Sequence, residues 1–345
     1  MSQPGWGFAQ QTWPGAPQPA GAVPGYAPWP VPQSLAQPAT QVRSPLRPLL
    51  FALIGITLLA LAGLAVASVV SRPVVVPYQN EDYKVPDADL NPPDVPSPKT
   101  LAEASTWTTA NAVYGQTAPA PVRCRLDPID VATADDALLK SHFETLMGCL
   151  VRVWQPPLTS AGFQIYRPTV TIYGDEITTK CGAGKLPHNA FYCGLDQQVY
   201  WSRTLGGDLA PMSVDRWAGD EVLAHEFGHA IQGRTGILFA ENMIRRDAPT
   251  TSASLESNRR LETQADCLAG IFIRSVSRAL GYEQKDLAAI ENGFAAGGDE
   301  HFLKDPNAEG NHGRSASRKY WGVTGLGTAA VGSCNTFTAA PALVR

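Results

Sequence analysis

Hydrophobic and polar positions change their rhythm along the chain in a way that separates its parts. Residues 49–70 (LLFALIGITLLALAGLAVASVV) form an apolar run without a charge. A helix of that length rises about 1.5 Å per residue and would cross a hydrocarbon core of about 30 Å. The run therefore predicts a transmembrane helix over 48–71. A cleaved signal peptide is the competing reading, but the run exceeds a normal apolar region of about 7–15 residues. Further on, Leu138, Leu139, Phe143, Leu146, Met147, Leu150 and Trp154 recur at helical spacing. This predicts a helix that starts at Thr133 to Asp136 and stops at Pro156-Pro157. Residues 169–173 (TVTIY) and 198–202 (QVYWS) read as strands. Helical patterns follow over about 214–232, 255–280, 284–295 and 313–322, with Gly233 or Gly236 and Gly281 as stops. The fold class expected is α+β, mainly helical with a small sheet.

The first 42 residues carry no charge and are rich in Pro, Gly, Gln and Ala. They have no apolar period, so residues 1–47 are expected to form a disordered tail. Such a composition suits either a docking segment for a cytoplasmic partner or a solvated tail. Residues 72–105, with many Pro and Asp, read as an extracytoplasmic linker, and 106–345 as the functional domain. Arg43 and Arg47 precede the apolar run, whereas acids dilute Arg72 beyond it. That bias predicts a cell-membrane, single-pass protein with its N-terminus in the cytoplasm and its domain outside. The net charge of −4 excludes the basic domain of a nucleic-acid binder.

All six cysteines, Cys124, Cys149, Cys181, Cys193, Cys267 and Cys334, follow the apolar run. An even number on that side fits an oxidising compartment. Fifteen pairings are open to six cysteines. Nearest neighbours are the pairing expected: Cys124 with Cys149, Cys181 with Cys193, Cys267 with Cys334. A structural zinc cluster is the rival reading, and no CxxC pair favours it.

The chemistry is concentrated in His225-Glu226-Phe227-Gly228-His229. In a helix, positions i and i+4 share a face, so both imidazoles can reach one metal ion. Glu226 then stands where it can take a proton from water on that metal. A catalytic zinc needs a third protein ligand and one open position. Glu262 and Asp266, again i and i+4, are the candidates downstream. Glu262 would bind the metal and Asp266 would hydrogen-bond a ligand imidazole. Taken alone, the same two acids could be a solvated helix face. His/His/Glu ligation suits zinc.

Several separated segments form a longer pattern around this motif. Phe191-Tyr192-Cys193 with Asp196 and Val199-Tyr200 comes first, followed by the HEFGH helix with Gln232. Then come Glu262-Thr263-Gln264-Ala265-Asp266-Cys267, His312-Gly313 with Ser315 and Arg318, Trp321, Gly325, and Cys334-Asn335-Thr336-Phe337. Together these segments resemble those of the neutral zinc metallopeptidases of bacteria, and the resemblance covers roughly 118–338. It implies a zincin-like fold, a Zn2+ cofactor, His225, His229 and Glu262 as ligands, Glu226 as base, and a structural Cys267. The chain departs from the pattern at Ala230, often a histidine, and around Thr328 to Ala330, where a Gly-Asp is missing.

These residues predict a membrane-anchored zinc metallopeptidase acting on a peptide or protein. His312, and after it Arg318, are the candidates to stabilise the charge of the tetrahedral intermediate. The strand around Val199 to Ser202 is expected to pair with an extended substrate. Two other functions fit the same residues: a zinc-stabilised cell-surface binding or scaffold protein with a vestigial site, and a zinc hydrolase acting on cell-wall components.

Overall fold

The computed structural model describes residues 46–70, 76–208, 217–305 and 309–345. The Pro-rich tail and the expected helix start at Val214 lie outside them. The chain divides into two compact units, Met1–Pro73 and Val74–Arg345.

In the first unit, α1 spans Leu46–Val70. The expected transmembrane helix is not upheld: among the described residues, no helix is long and apolar enough to cross a membrane. The single-pass anchoring and the inside-to-outside orientation, both inferred from that span, fall with it. The α+β character of the fold stands.

In the second unit the helices are α2 (Leu101–Thr109), α3 (Asp136–Ser160), α4 (Leu205–Asp208), α5 (Ala218–Arg234), α6 (Ile237–Arg246), α7 (Thr251–Leu280), α8 (Gln284–Ala296), α9 (Asp299–Leu303) and α10 (Ser315–Gly327). The strands are β1 (Val170–Tyr173), β2 (Glu176–Thr179), β3 (Gly182–Lys185), β4 (Ala190–Cys193) and β5 (Gln198–Ser202). A three-stranded sheet has the order β1-β5-β4, with β5 parallel to β1 and antiparallel to β4; β2 and β3 form a separate hairpin. Every residue of β5 is buried, as its central place requires. Residues 76–100, whose composition suggests a spacer, belong to this unit and hydrogen-bond within it: Gln79 N–H donates to Pro121 O and Asp89 N–H to Arg167 O.

Asp135 caps α3 by accepting the Leu138 amide, and the Phe143 ring packs 4.4 Å from that of Trp201 in β5. The helix does not stop at Pro156-Pro157 but runs on to Ser160. Proline lacks the N–H that would reach the carbonyl four residues back. Asn80 Nδ2 supplies that missing donor to Arg152 O, at 2.7 Å. Pro157 and Leu158 are buried, so packing holds the last turn.

The motif helix α5 is buried on nearly all sides. It ends before Gly236, whose φ of +78° lets the chain turn directly into α6, an element with no signal in the sequence reading. Thr250 caps α7 through the Ala253 amide, and Gly281, at φ +69°, ends it. Two close backbone approaches set the layers. A Cβ on Gly228 would lie 3.0 Å from Ala265 Cα, so α5 rests directly on α7. A Cβ on Gly325 would collide with the Cys267 carbonyl, so α10 rests on the other side of α7. The disulfides are Cys124–Cys149, Cys181–Cys193 and Cys267–Cys334, the nearest-neighbour pairs.

Candidate metal centre

The approach of α5 to α7 at Gly228 brings His225, His229 and Glu262 together. Among the described residues, these three offer ligand atoms that all lie within 4.8 Å of one another. His225 Nε2 is 3.2 Å from His229 Nε2. Glu262 Oε2 is 3.3 Å from the first and 3.5 Å from the second. Tetrahedral zinc with bonds of about 2.0–2.1 Å spaces its ligands about 3.3–3.4 Å apart. The triangle therefore has the edges that such an ion requires, and its donors are two imidazoles and one carboxylate.

Hydrogen bonds on the far side of each ring set which nitrogen faces the triangle. His225 Nδ1–H donates to Asp266 Oδ1 at 2.8 Å. His229 Nδ1–H donates to Gln232 Oε1 at 2.7 Å. Both Nε2 atoms thus keep their lone pairs for a metal. Gln232 Nε2 donates to Leu261 O and Gln264 Oε1, and Gln264 Nε2 donates to Tyr114 Oη and Cys334 O. A relay therefore runs from His229 to the segment tied by the Cys267–Cys334 disulfide. The place of Gln232, three residues after His229 and so on the same helix face, was a signal for this role in the sequence. Gln264 had none beyond its place in the motif.

Arg318 stands on the Nδ1 side of His225. Its Nε and Nη2 donate to Asp266 Oδ2 and Oδ1 at 2.9 and 2.7 Å, and its Nη1 donates to Gly297 O. The guanidinium thus clamps Asp266 from behind and is spent on that contact. His312 stands near Glu262 on the loop before α10, with its side chain 44% exposed. Glu226 Oε2 accepts the Tyr192 amide of β4 at 2.8 Å. That contact places one edge of the sheet beside Glu226. The edge strands are β1 and β4, and β4 is the one beside Glu226; β5 has partners on both sides and no edge for a substrate.

The electrostatics favour a cation. Burial pushes the Glu226 carboxyl up, although His225 and His229 oppose it. Burial would also raise Glu262, but His229 and His225 hold it well below the usual carboxylate range. Asp266 is likewise lowered: burial works against it, and Arg318 and His225 outweigh burial. His225 shows the reverse balance. Burial alone would lower it, yet Asp266 and Glu262 raise it to about 10. Without a metal the imidazole holds a proton that these carboxylates attract. A divalent cation would supply that positive charge instead.

A buried HExxH helix with a carboxylate from a second helix defines an α+β metal-binding domain of the HExxH type. The chain belongs to the family described as "putative neutral zinc metallopeptidase", whose pattern matches residues 113–337. Membership implies zinc as the cofactor, in accord with the donor set. The chain is similar to the uncharacterized protein YpfJ of Escherichia coli K12, 29% identical over 194 residues, or 53% of this chain and 66% of that protein. It thus spans just under two thirds of that relative. It is also similar to the uncharacterized protein Rv2575 of Mycobacterium tuberculosis, 28% identical over 206 residues, or 54% of this chain and 67% of the relative. No solved structure matches it.

Proposed function

We propose that this chain hydrolyses peptide bonds in peptide or protein substrates, with the domain from about residue 106 as its catalytic part. The observation that carries the reading is the near-equilateral triangle of His225 Nε2, His229 Nε2 and Glu262 Oε2 beside the buried Glu226. His225, His229 and Glu262 would hold a zinc ion, which would supply a Lewis acid to polarise the carbonyl and make water nucleophilic near neutral pH.

The remaining work falls to the chain's own side chains. Glu226, raised by burial, takes the proton of the attacking water and later delivers it to the leaving amine. The Tyr192 amide holds one of its oxygens and leaves the other for the water. His312 faces the developing negative charge of the tetrahedral carbon's oxygen, a contribution of about 2.7–4 kcal/mol in comparable sites. Arg318 acts at a distance by fixing Asp266 and, through it, His225. The three disulfides favour an oxidising compartment.

The test is zinc content and cleavage of labelled casein and a quenched peptide library by the full chain and by Glu226→Gln. One zinc in both, with turnover only in the wild type, is expected. Equal turnover in the two proteins would end the proposal.

A further inference from the structure

The sequence Gly297-Gly298-Asp299-Glu300 opens α9, a helix of only five residues with little core of its own. Its first acid is nonetheless 2% exposed. A carboxylate removed from water must find partners, or the cost is several kcal/mol. Asp299 finds them in one loop. Its Oδ1 accepts the His312 amide at 3.2 Å and its Oδ2 accepts the Gly313 amide at 2.8 Å. The Asp299 amide donates to Gly313 O at 2.9 Å. A Cβ on Gly310 would collide with Asp299 Oδ1, so the loop closes on the carboxylate only because residue 310 is glycine. The imidazole then falls beside the same acid, with His312 Nδ1 3.5 Å from Asp299 Oδ1.

The other side of this loop rests on the turn of α7 that carries Glu262. Asn258 Nδ2 donates to Asn311 O at 2.9 Å and lies 3.5 Å from Glu262 Oε1. Arg259 Nη1 donates to Gly310 O, and Gly313 packs over Thr263. His312 is close enough for its charge to help lower the Glu262 carboxyl. The next acid, Glu300, accepts the Ser315 amide and so caps α10 at the exit of the loop. The ring is thus held at one nitrogen by a buried acid, while nearly half of the side chain faces solvent beside the metal ligands.

We propose that Asp299 is a positioning residue: it holds the His312 ring by Nδ1, so that Nε2 is turned to the solvent-facing side of the metal ligands beside Glu262. Asp299 does not touch the substrate and acts through His312. A neutral ring held in this way carries its proton on Nδ1, and the charged ring presents Nε2–H to an anionic oxygen. Apo geometry at such a contact is commonly long and tightens when the substrate arrives. The inference rests on the metallopeptidase reading for its catalytic consequence, though not for the geometry of the pair.

The experiment has two arms on the full chain. The first is 15N NMR of the histidine rings in metal-free and zinc-loaded protein at alkaline pH, with the His312 signal assigned by its loss in His312→Gln. The Nδ1–H form is expected for His312 in wild type, and loss of that preference in Asp299→Asn. An Nε2–H form in wild type would overturn the proposal even if Asp299→Asn failed to fold. The second arm is casein turnover by wild type, Asp299→Asn, His312→Ala and the double variant. Asp299→Asn is expected to lower kcat about 10–100-fold with KM and zinc content kept, and to add nothing in the His312→Ala background. An equal loss in both backgrounds would mean that Asp299 only builds the loop, and would overturn the proposal. If wild type cleaves neither casein nor the peptide library, the metallopeptidase reading and the catalytic consequence fail together, and the NMR arm alone decides the Asp299–His312 contact.

Discussion

His225 Nδ1 donates to Asp266 Oδ1 across 2.8 Å, although the two residues are 41 positions apart and on different helices. Arg318 grips the same carboxylate with two donors. Partners of this kind fix the ring and raise its basicity, and losing one typically costs about 10–100-fold in metal affinity. Asp266→Asn is therefore expected to weaken zinc binding by that factor in a chelator competition. Asp266→Ala should instead fail to fold stably, since it strands a buried guanidinium. Unchanged affinity in Asp266→Asn would mean that the ring is oriented by packing alone.

Glu262 closes the triangle from α7, at 3.3 and 3.5 Å from the two imidazoles. Glu262→Ala leaves two ligands, too few for a stable zinc site. The variant should emerge from dialysis without zinc while keeping its helical circular dichroism. Stoichiometric zinc in it would put the third ligand elsewhere.

Glu241 on α6 lies in the same electrostatic field, and burial lifts its carboxyl from an ordinary 4.5 to about 7, with Arg245 opposing. The folded protein holds this proton more tightly than the unfolded chain. Glu241 therefore makes stability fall as pH rises from about 4.5 to 7, and leaves it flat above. Glu241→Gln removes the charge that causes the fall. In metal-free protein its unfolding free energy should match wild type near pH 4.5 and exceed it above pH 7, by up to about 3 kcal/mol. A constant difference across that range would refute the titration.

The Cys267–Cys334 disulfide closes 67 residues, against 12 for Cys181–Cys193. Chain entropy gives about 4 kcal/mol for the longer loop and about 3 kcal/mol for the shorter. The longer disulfide also steadies the Cys334 carbonyl that accepts from Gln264, the last link behind His229. Replacing both Cys267 and Cys334 by Ala should lower the denaturation midpoint and weaken zinc binding. Replacing Cys181 and Cys193 should lower the midpoint less. Equal effects on zinc would show that the glutamine relay does not reach the metal ligands.

Much of this was legible along the chain. The period of Leu139, Phe143, Leu146, Leu150 and Trp154 marked α3, and QVYWS read as a strand, though not as the central one. Spacing put His225 and His229 on one face of α5 and Glu262 and Asp266 on one face of α7. These are properties of one element at a time, and periodicity reports which face of an element is buried. The extent of α3 beyond Pro156-Pro157 was not legible, because it depends on a donor from Asn80, 72 residues away. Nor were β4 as the edge beside Glu226, Arg318 behind the ligand His225, or Asp299 beneath His312. The apolar run at 49–70 predicted a membrane span, and among the described residues no helix is long and apolar enough to make one.

The sequence by itself determined which residue types could hold a divalent metal and the helical face on which each would stand. Only the tertiary structure decided that they meet, and how. Gly228 against Ala265 and Gly325 against Cys267 are approaches of backbone to backbone, and they arise when three helices pack. The rotation at those contacts sets the distances between His225, His229 and Glu262, and it turns Arg318 toward Asp266. A few tenths of an ångström separate a triangle that fits zinc from one that does not, and packing across distant segments controls lengths on that scale.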